Sequence, residues 1–336
     1  MSDASRIMRI AFMSGITVKN HVSGLPRIQE VFDDRVEAWI GYPLARNVVF
    51  YRPTLYLRER CRFAGLLHEM YDLVSVNNQQ HNGAIRAFTG EVDRLSARME
   101  RWYQYLPFEL QYGWPMSVAV WELHASYLAA LMALWVAART QLQQKQNLPE
   151  DELPPAESDD ENISFKSRTA RDMLSKALPL AYRATQILHD FRKRYGLKIT
   201  PAWLLQLQAV AAGVLLQDPE LADATTIASS GDGESGGTIN DSRTAFDEVF
   251  RCLLGTGVQV MVARGIARMM YHTSLQKNIK MSQSMRSVLQ IMSDTAWRPS
   301  DLSLVSSTFP NYATTKGYLD SERMTELLMK WEALET

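Results

Sequence analysis

Hydrophobic positions along most of this chain recur at helical spacing. The most regular run covers 84–106, where Ile85, Phe88, Val92, Leu95, Met99, Trp102 and Leu106 follow one another in steps of three and four. That alternation puts them on one face of an α-helix. Glu91, Asp93, Arg94, Arg98, Glu100 and Arg101 fall on the other side. Pro107 pushes the residue before it out of the α region, so the helix is predicted to stop at Leu106. A second helix is predicted to start at Pro115, a residue suited to the first helical position, and to run to Leu142. Gly113-Trp114-Pro115 is the hinge between the two. From Tyr127 to Ala138 the second helix has no polar residue. A helix that is apolar all round must be surrounded, so this pair is predicted to be the centre of a bundle.

The same reading extends in both directions. Residues 25–40 carry Ile28, Val31, Phe32, Val36, Trp39 and Ile40 at helical spacing, ending at Gly41. The proline-containing stretch 42–53 is a connector. Residues 55–76 resume the period through Leu57, Cys61, Ala64, Leu67, Tyr71 and Val74, and 77–83 is polar punctuation. Residues 164–195 hold Ala170, Met173, Leu174, Ala177, Ala181, Ala184, Ile187, Leu188, Phe191 and Tyr195 in register. Pro179 is predicted to kink or split that helix. Arg192, Lys193 and Arg194 complement the dipole of its last turn, or read as a short nuclear import signal, and Gly196 is its stop. Thr200-Pro201 is a helix start, and 201–217 is again apolar nearly all round before Asp218-Pro219 closes it. Residues 243–254 face inward through Phe246, Val249, Phe250, Leu253 and Leu254, with a break at Gly255-Thr256-Gly257. Helices follow over 259–271 (Val262, Ile266, Met269, Met270), a Met-rich 274–292, and 323–334 (Met324, Leu327, Leu328, Trp331, Leu334). Val48-Val49-Phe50-Tyr51 is the best strand candidate and is short. The fold class is therefore all-α, an irregular multi-helix bundle.

Two stretches break the pattern. Residues 144–162 hold seven acidic residues and three prolines with almost no large apolar side chains. Such a tract cannot bury enough surface to offset its ordering entropy, so a disordered acidic loop is expected. It reads as a solvated linker or as an activation or partner-binding segment. Residues 223–242 are a low-complexity Gly/Ser loop. The expected organisation is a loose end over 1–24, a helical domain over 25–292 containing both loops, and a C-terminal extension over 293–336 with a short helix.

The 336 residues are 46% hydrophobic and include 8 Trp, 13 Tyr and 11 Phe, enough for a large core. A net charge of −1 gives no field that would draw nucleic acid or an acidic membrane. The apolar segment 116–138 was tested as a membrane span. Glu122 and His124 interrupt it, and the uninterrupted part is shorter than the ~20 residues a span needs, so no membrane partner is expected. Cys61 and Cys252, the only two cysteines, lie in apolar helical patterns and imply no disulfide framework, which fits a reducing compartment.

Tests for chemistry return little. Gly233-Glu234-Ser235-Gly236-Gly237 matches a nucleophile elbow but lacks the strand and helix that hold such a serine. Gly255-Thr256-Gly257 is too short for a phosphate loop. His68-Glu69 has no second histidine at zincin spacing, and His21, His68, His81, His124, His189 and His272 form no ligand set. Asp33-Asp34 and Asp159-Asp160-Glu161 are too local for an acid/base pair. Trp102, Tyr103, Tyr105, Trp114, Trp121 and Tyr127 crowd the hinge, as core packing or as the wall of a small-molecule pocket. No catalytic, cofactor-binding or metal-ligating residue is predicted, and the chain is not expected to be an enzyme.

One pattern at the central pair points further. Leu95, Trp102, Leu106-Pro107, Leu110 and Leu123-His124-x-x-Tyr127, followed by an apolar helix, resemble the regulatory middle homology region of fungal zinc-cluster transcription factors. The Ala-rich 209–212, the Cys252-Leu253-Leu254 helix and the inserted acidic loop are similar too, and the likeness spans roughly 25–271. The composition around 250–273 leans toward nitrate-assimilation regulators. Val136-Ala137-Ala138 departs from the basic-Pro-Phe turn usual in the family. The resemblance implies a nuclear regulatory domain that controls transcription through co-regulators or a small-molecule effector, with a homodimer possible. In that family zinc and DNA are bound by a six-cysteine cluster upstream, which two cysteines cannot build. The chain is thus expected to be the regulatory half of such a factor, truncated or separately encoded. The rival readings are a helical enzyme or binder of a hydrophobic metabolite, using the aromatic hinge, and a plain interaction scaffold.

Overall fold

The computed structural model describes residues 36–40, 48–76, 85–113, 116–144, 159–196, 201–223, 241–281 and 283–293. The expected loose end over 1–24, most of both loops, the nucleophile-like serine and the helix over 323–334 lie outside those residues. The described chain is all-α apart from one short hairpin. The strands are β1 (Glu37–Ile40) and β2 (Val48–Tyr51). The helices are α1 (Pro53–Val76), α2 (Ile85–Gln104), α3 (Val118–Gln144), α4 (Asp159–Tyr195), α5 (Ala202–Leu215), α6 (Pro219–Asp223), α7 (Ser242–Gly257), α8 (Met261–Gln276) and α9 (Gln283–Ser293). A single 3-10 turn, Phe108–Leu110, lies between α2 and α3.

α3 is the axis. It packs against α1, α2, α4 and α5, while α7 packs against α4, α5 and α8. α3 is long and apolar enough to cross a membrane, but 78% of its apolar window is buried inside the molecule. Leu131 and Trp135 are both buried, as a helix apolar all round requires. α5 is buried in the same way. Alanines let the axes approach: Ala177, Ala181 and Ala184 on α4, and Ala209, Ala211 and Ala212 on α5, are all buried. One continuous apolar core runs from Phe63 to Leu289.

The amphipathic faces of α2 and α4 match the sequence reading. Phe88, Val92, Leu95, Met99 and Leu106 are buried, and the six charged residues opposite are exposed. All ten in-register residues of α4 are buried. Other boundaries need correction. Residues 37–40 are a strand, with Trp39 opposite Val49 and Ala38 opposite Phe50, so the helix predicted over 25–40 does not reach its end. A short apolar run fits either period, and pairing with 48–51 decides it. The face of α1 is read only in part: Leu67 and Val74 are buried as the spacing predicts, but Leu57 is exposed, and Glu59, Phe63 and Met70 are buried beside them. α3 begins at Val118 rather than Pro115, because Ser117 provides the start, its hydroxyl and carbonyl accepting from the Val120 amide.

α4 is one helix and starts at Asp159, inside the predicted acidic loop, where acidic residues suit a helix N-terminus. Pro179 does not split it. Pro179 and Ser175 are both exposed, so the carbonyl that proline leaves without an N–H faces water. Gly196 ends the helix at φ +75°, its amide bonded to the Arg192 carbonyl. Pro201 caps α5 from outside instead of opening it. Gly255-Thr256-Gly257 is the last turn of α7, not a break. The Met-rich segment divides at Asn278, whose φ of +57° stops α8 before α9 begins.

Candidate functional site

The spacing Trp102, Leu106, Leu110, Leu123, His124, Tyr127 becomes one place in the molecule. α2 delivers Trp102 and Tyr103, the connector delivers Leu106, Leu110 and Tyr112, and α3 delivers Trp121, Leu123, His124 and Tyr127 one turn apart. The rings form a continuous seam. Phe63 stacks on Trp102 at 4.6 Å, and Tyr103 stacks on Tyr127 at 4.0 Å, with Trp102 6.1 Å from Tyr127. Tyr112 stands edge-on to Trp121 at 5.8 Å and to His124 at 5.5 Å. Trp121 then meets Phe191 of α4, which reaches Trp203 of α5. Rings at these separations fill the hinge with one another. Tyr105 is not part of the seam, being 80% exposed, and Trp114 lies outside the described residues.

Polar groups cross the seam at fixed points. The Arg183 guanidinium of α4 covers the Tyr103 ring at 4.7 Å and donates to its hydroxyl at 3.0 Å. That hydroxyl lies 2.8 Å from His124 Nδ1. With Arg183 donating to its oxygen, the hydroxyl keeps its own proton to offer to Nδ1. The Leu110 carbonyl acts on the ring as an acceptor, and Nε2 makes no further hydrogen bond among the described residues. Trp121 Nε1 is likewise buried, and the Tyr195 hydroxyl is the group it faces. A buried donor left unmade costs about 1–3 kcal/mol. Burial holds His124 down at about 4, helped by Arg183 and opposed by the Leu110 carbonyl, so the ring is neutral. Burial raises the Tyr103 and Tyr127 hydroxyls. Burial also raises Tyr112, which donates to Asp190 at 2.6 Å.

On the α1 side Glu59 accepts from Trp102 Nε1 at 3.1 Å and from Arg62 at 2.7 Å. Glu122 accepts from the Tyr56 hydroxyl at 2.7 Å and Arg60 at 3.1 Å. Comparison of the chain with protein-family models, with curated proteins and with solved structures found no match.

Elsewhere the tested motifs separate. His68 faces Asp72 at 3.6 Å on an exposed turn, while Glu69 pairs with Arg98. His189 is 3.1 Å from Glu248. Among the described residues no group of three His, Cys, Asp or Glu is placed to hold a metal ion. Cys252 is buried, and burial followed by the Glu248 charge pushes its thiol up, away from the reactive thiolate. Cys61 is half-buried. Arg192 lies in the last turn of α4, as read, and also makes a two-pronged ion pair with buried Glu248 at 2.6 and 3.2 Å. Sequence reasoning missed Arg183, Asp190 and Tyr112 as members of the seam. Their only local signal is that Arg183, Gln186 and Asp190 share one side of α4 at helical spacing.

Proposed function

We propose that this chain is a nuclear regulatory module that controls DNA-templated transcription. The supporting observation is that Trp102, His124 and Tyr127, three of the residues that carry the resemblance, meet through Tyr103 in one packed seam, while Leu95, Leu106, Leu110 and Leu123 are buried. A pattern kept for one structural locus is a better guide than a pattern spread over separate helices. Co-regulators or a small-molecule effector are the partners of this reading. Contact with DNA would come through a zinc cluster of the family's kind, outside what these residues can build. The helical core offers the mechanism: helices α2 to α4 repack, or the acidic tract after α3 changes its availability to partners.

The test is a reporter assay with residues 25–293 fused to a neutral DNA-binding domain. Activation or repression that changes with nutrient condition, and that is lost on His124→Asp, supports the reading. A fusion that is expressed, folded and inert under every condition overturns it.

A further inference from the structure

We propose that Arg139 and Lys277 form a binding site for the phosphate group of a small molecule, independently of whether the chain regulates transcription. The bundle brings these two cations together from separate helices. Arg139, near the end of α3, donates from Nη1 to the Gln217 side-chain oxygen, and Lys277, just past α8, donates to the Leu216 carbonyl at 2.8 Å. Both thus reach the end of α5 at consecutive residues, roughly 20 Å along α3 from His124 at the helical rise. Both are half-buried, and neither makes an ion pair among the described residues. Other inward-facing charges have partners of opposite sign: Glu248 has Arg192, Glu59 has Arg62 and Glu122 has Arg60. Burial lowers both Arg139 and Lys277, and at Lys277 the Arg139 charge adds to the lowering, so the two are near enough to repel. The C-terminal ends of α5 and α8 offset about half a unit charge each, which does not balance two cations. Water can complete hydrogen bonds at these side chains, but it leaves the like charges facing each other. A phosphate monoester brings a charge of about −1.5 to −2 at neutral pH. The planar arginine fork suits two of its oxygens and the lysine point charge a third, whereas a carboxylate is held by the fork alone.

The test is equilibrium dialysis of the full chain against inorganic phosphate, with ionic strength held constant by chloride. The parent should bind a single phosphate per chain, saturably. Arg139→Gln and Lys277→Gln should each weaken that binding about tenfold, the effect of losing one charge-assisted hydrogen bond. Lys277→Arg keeps the charge and should stay within about threefold of the parent, which separates lost charge from lost fold. Arg264→Gln removes an arginine that bonds the Gly257 and Val258 carbonyls at the end of α7, and it should leave binding unchanged. Glycerol phosphate should compete within about threefold of phosphate itself, and acetate about tenfold more weakly. The proposal is overturned by the absence of saturable binding, or by parent-like binding in both glutamine variants at the site. It is equally overturned if glycerol phosphate is excluded, if acetate competes as well as phosphate, or if Arg264→Gln loses as much as Arg139→Gln.

Discussion

His124 and Glu248 are both buried polar side chains in the same bundle, yet the fold treats them in opposite ways. Glu248, between α4 and α7, collects Arg192 twice, His189 at 3.1 Å and Arg251 at 3.5 Å. His124, between α2 and α3, has one bond, from Tyr103, and a second nitrogen without one. A charge can be buried only when surrounded by partners, whereas a neutral ring survives with less. The α4–α7 contact is thus a pin, and the α2–α3 contact is a place where a small change in partners shifts the balance.

The largest expected effect comes from pulling the pin. Arg192→Met leaves the Glu248 carboxylate buried with only weaker partners and should cost about 3–5 kcal/mol in urea unfolding. Arg192→Met with Glu248→Leu should recover most of that loss, since an apolar pair of similar volume often matches a buried ion pair. If the double variant is as unstable as the single, packing rather than charge holds α4 to α7.

The next effect is pH-dependent and belongs to His124. Its ordinary value near 6.5 falls to about 4 on folding. Above pH 6.5 the ring is neutral in both states and adds no pH dependence. Between 6.5 and 4 the unfolded chain takes the proton and the folded one does not, so stability falls as pH falls. The gap is worth at most ~3 kcal/mol, fully lost below pH 4. Carboxylates titrate in the lower part of this window, so the measured quantity is the difference between the parent and His124→Gln. Parallel stability curves from pH 7 to pH 4 would show that His124 is not shielded as described.

A neutral buried pair should fall lower still. Gln208 of α5 and Thr256 of α7 bond each other at 3.1 Å out of solvent, and Thr256 also bonds the Cys252 carbonyl. Thr256→Val keeps the shape and leaves the Gln208 amide unmade, at about 1–3 kcal/mol by chemical denaturation. A cost near that of Arg192→Met would erase the distinction between charged and neutral burial.

How far these contrasts were legible in the sequence follows from what local spacing records. Spacing reports which side of a helix meets the core, so the faces of α2 and α4 and the all-round burial of α3 and α5 could be read directly. It failed where a charge faces inward: Glu59 turns α1 because Trp102 and Arg62 wait for it. It failed at Gly255-Thr256-Gly257 because glycine is only mildly unfavourable in a helix, and Thr256 is anchored from α5. It failed at Trp39 and Ile40, where four residues carry no distinguishable period. In the seam, Trp102, His124 and Tyr127 could be placed together. Arg183 and Asp190 could not, because a partner chosen across two helices leaves no mark in the spacing of either.

The smallest effect isolates what burial contributes. Arg94 pairs with Glu91 one turn away at 2.8 Å, a distance within the range of the Glu248 cluster, but its side chain is 70% exposed. Water already solvates both groups, and holding two long side chains together costs entropy. Arg94→Ala should therefore change stability by less than about 0.5 kcal/mol, and by less still at high salt, where screening weakens the pair. Set beside Arg192→Met, this pair of variants removes an arginine from a carboxylate of similar geometry and differs in desolvation. Should Arg94→Ala cost as much as Arg192→Met, ion-pair geometry and not burial would govern stability, and the contrast between Glu248 and His124 would lose its basis.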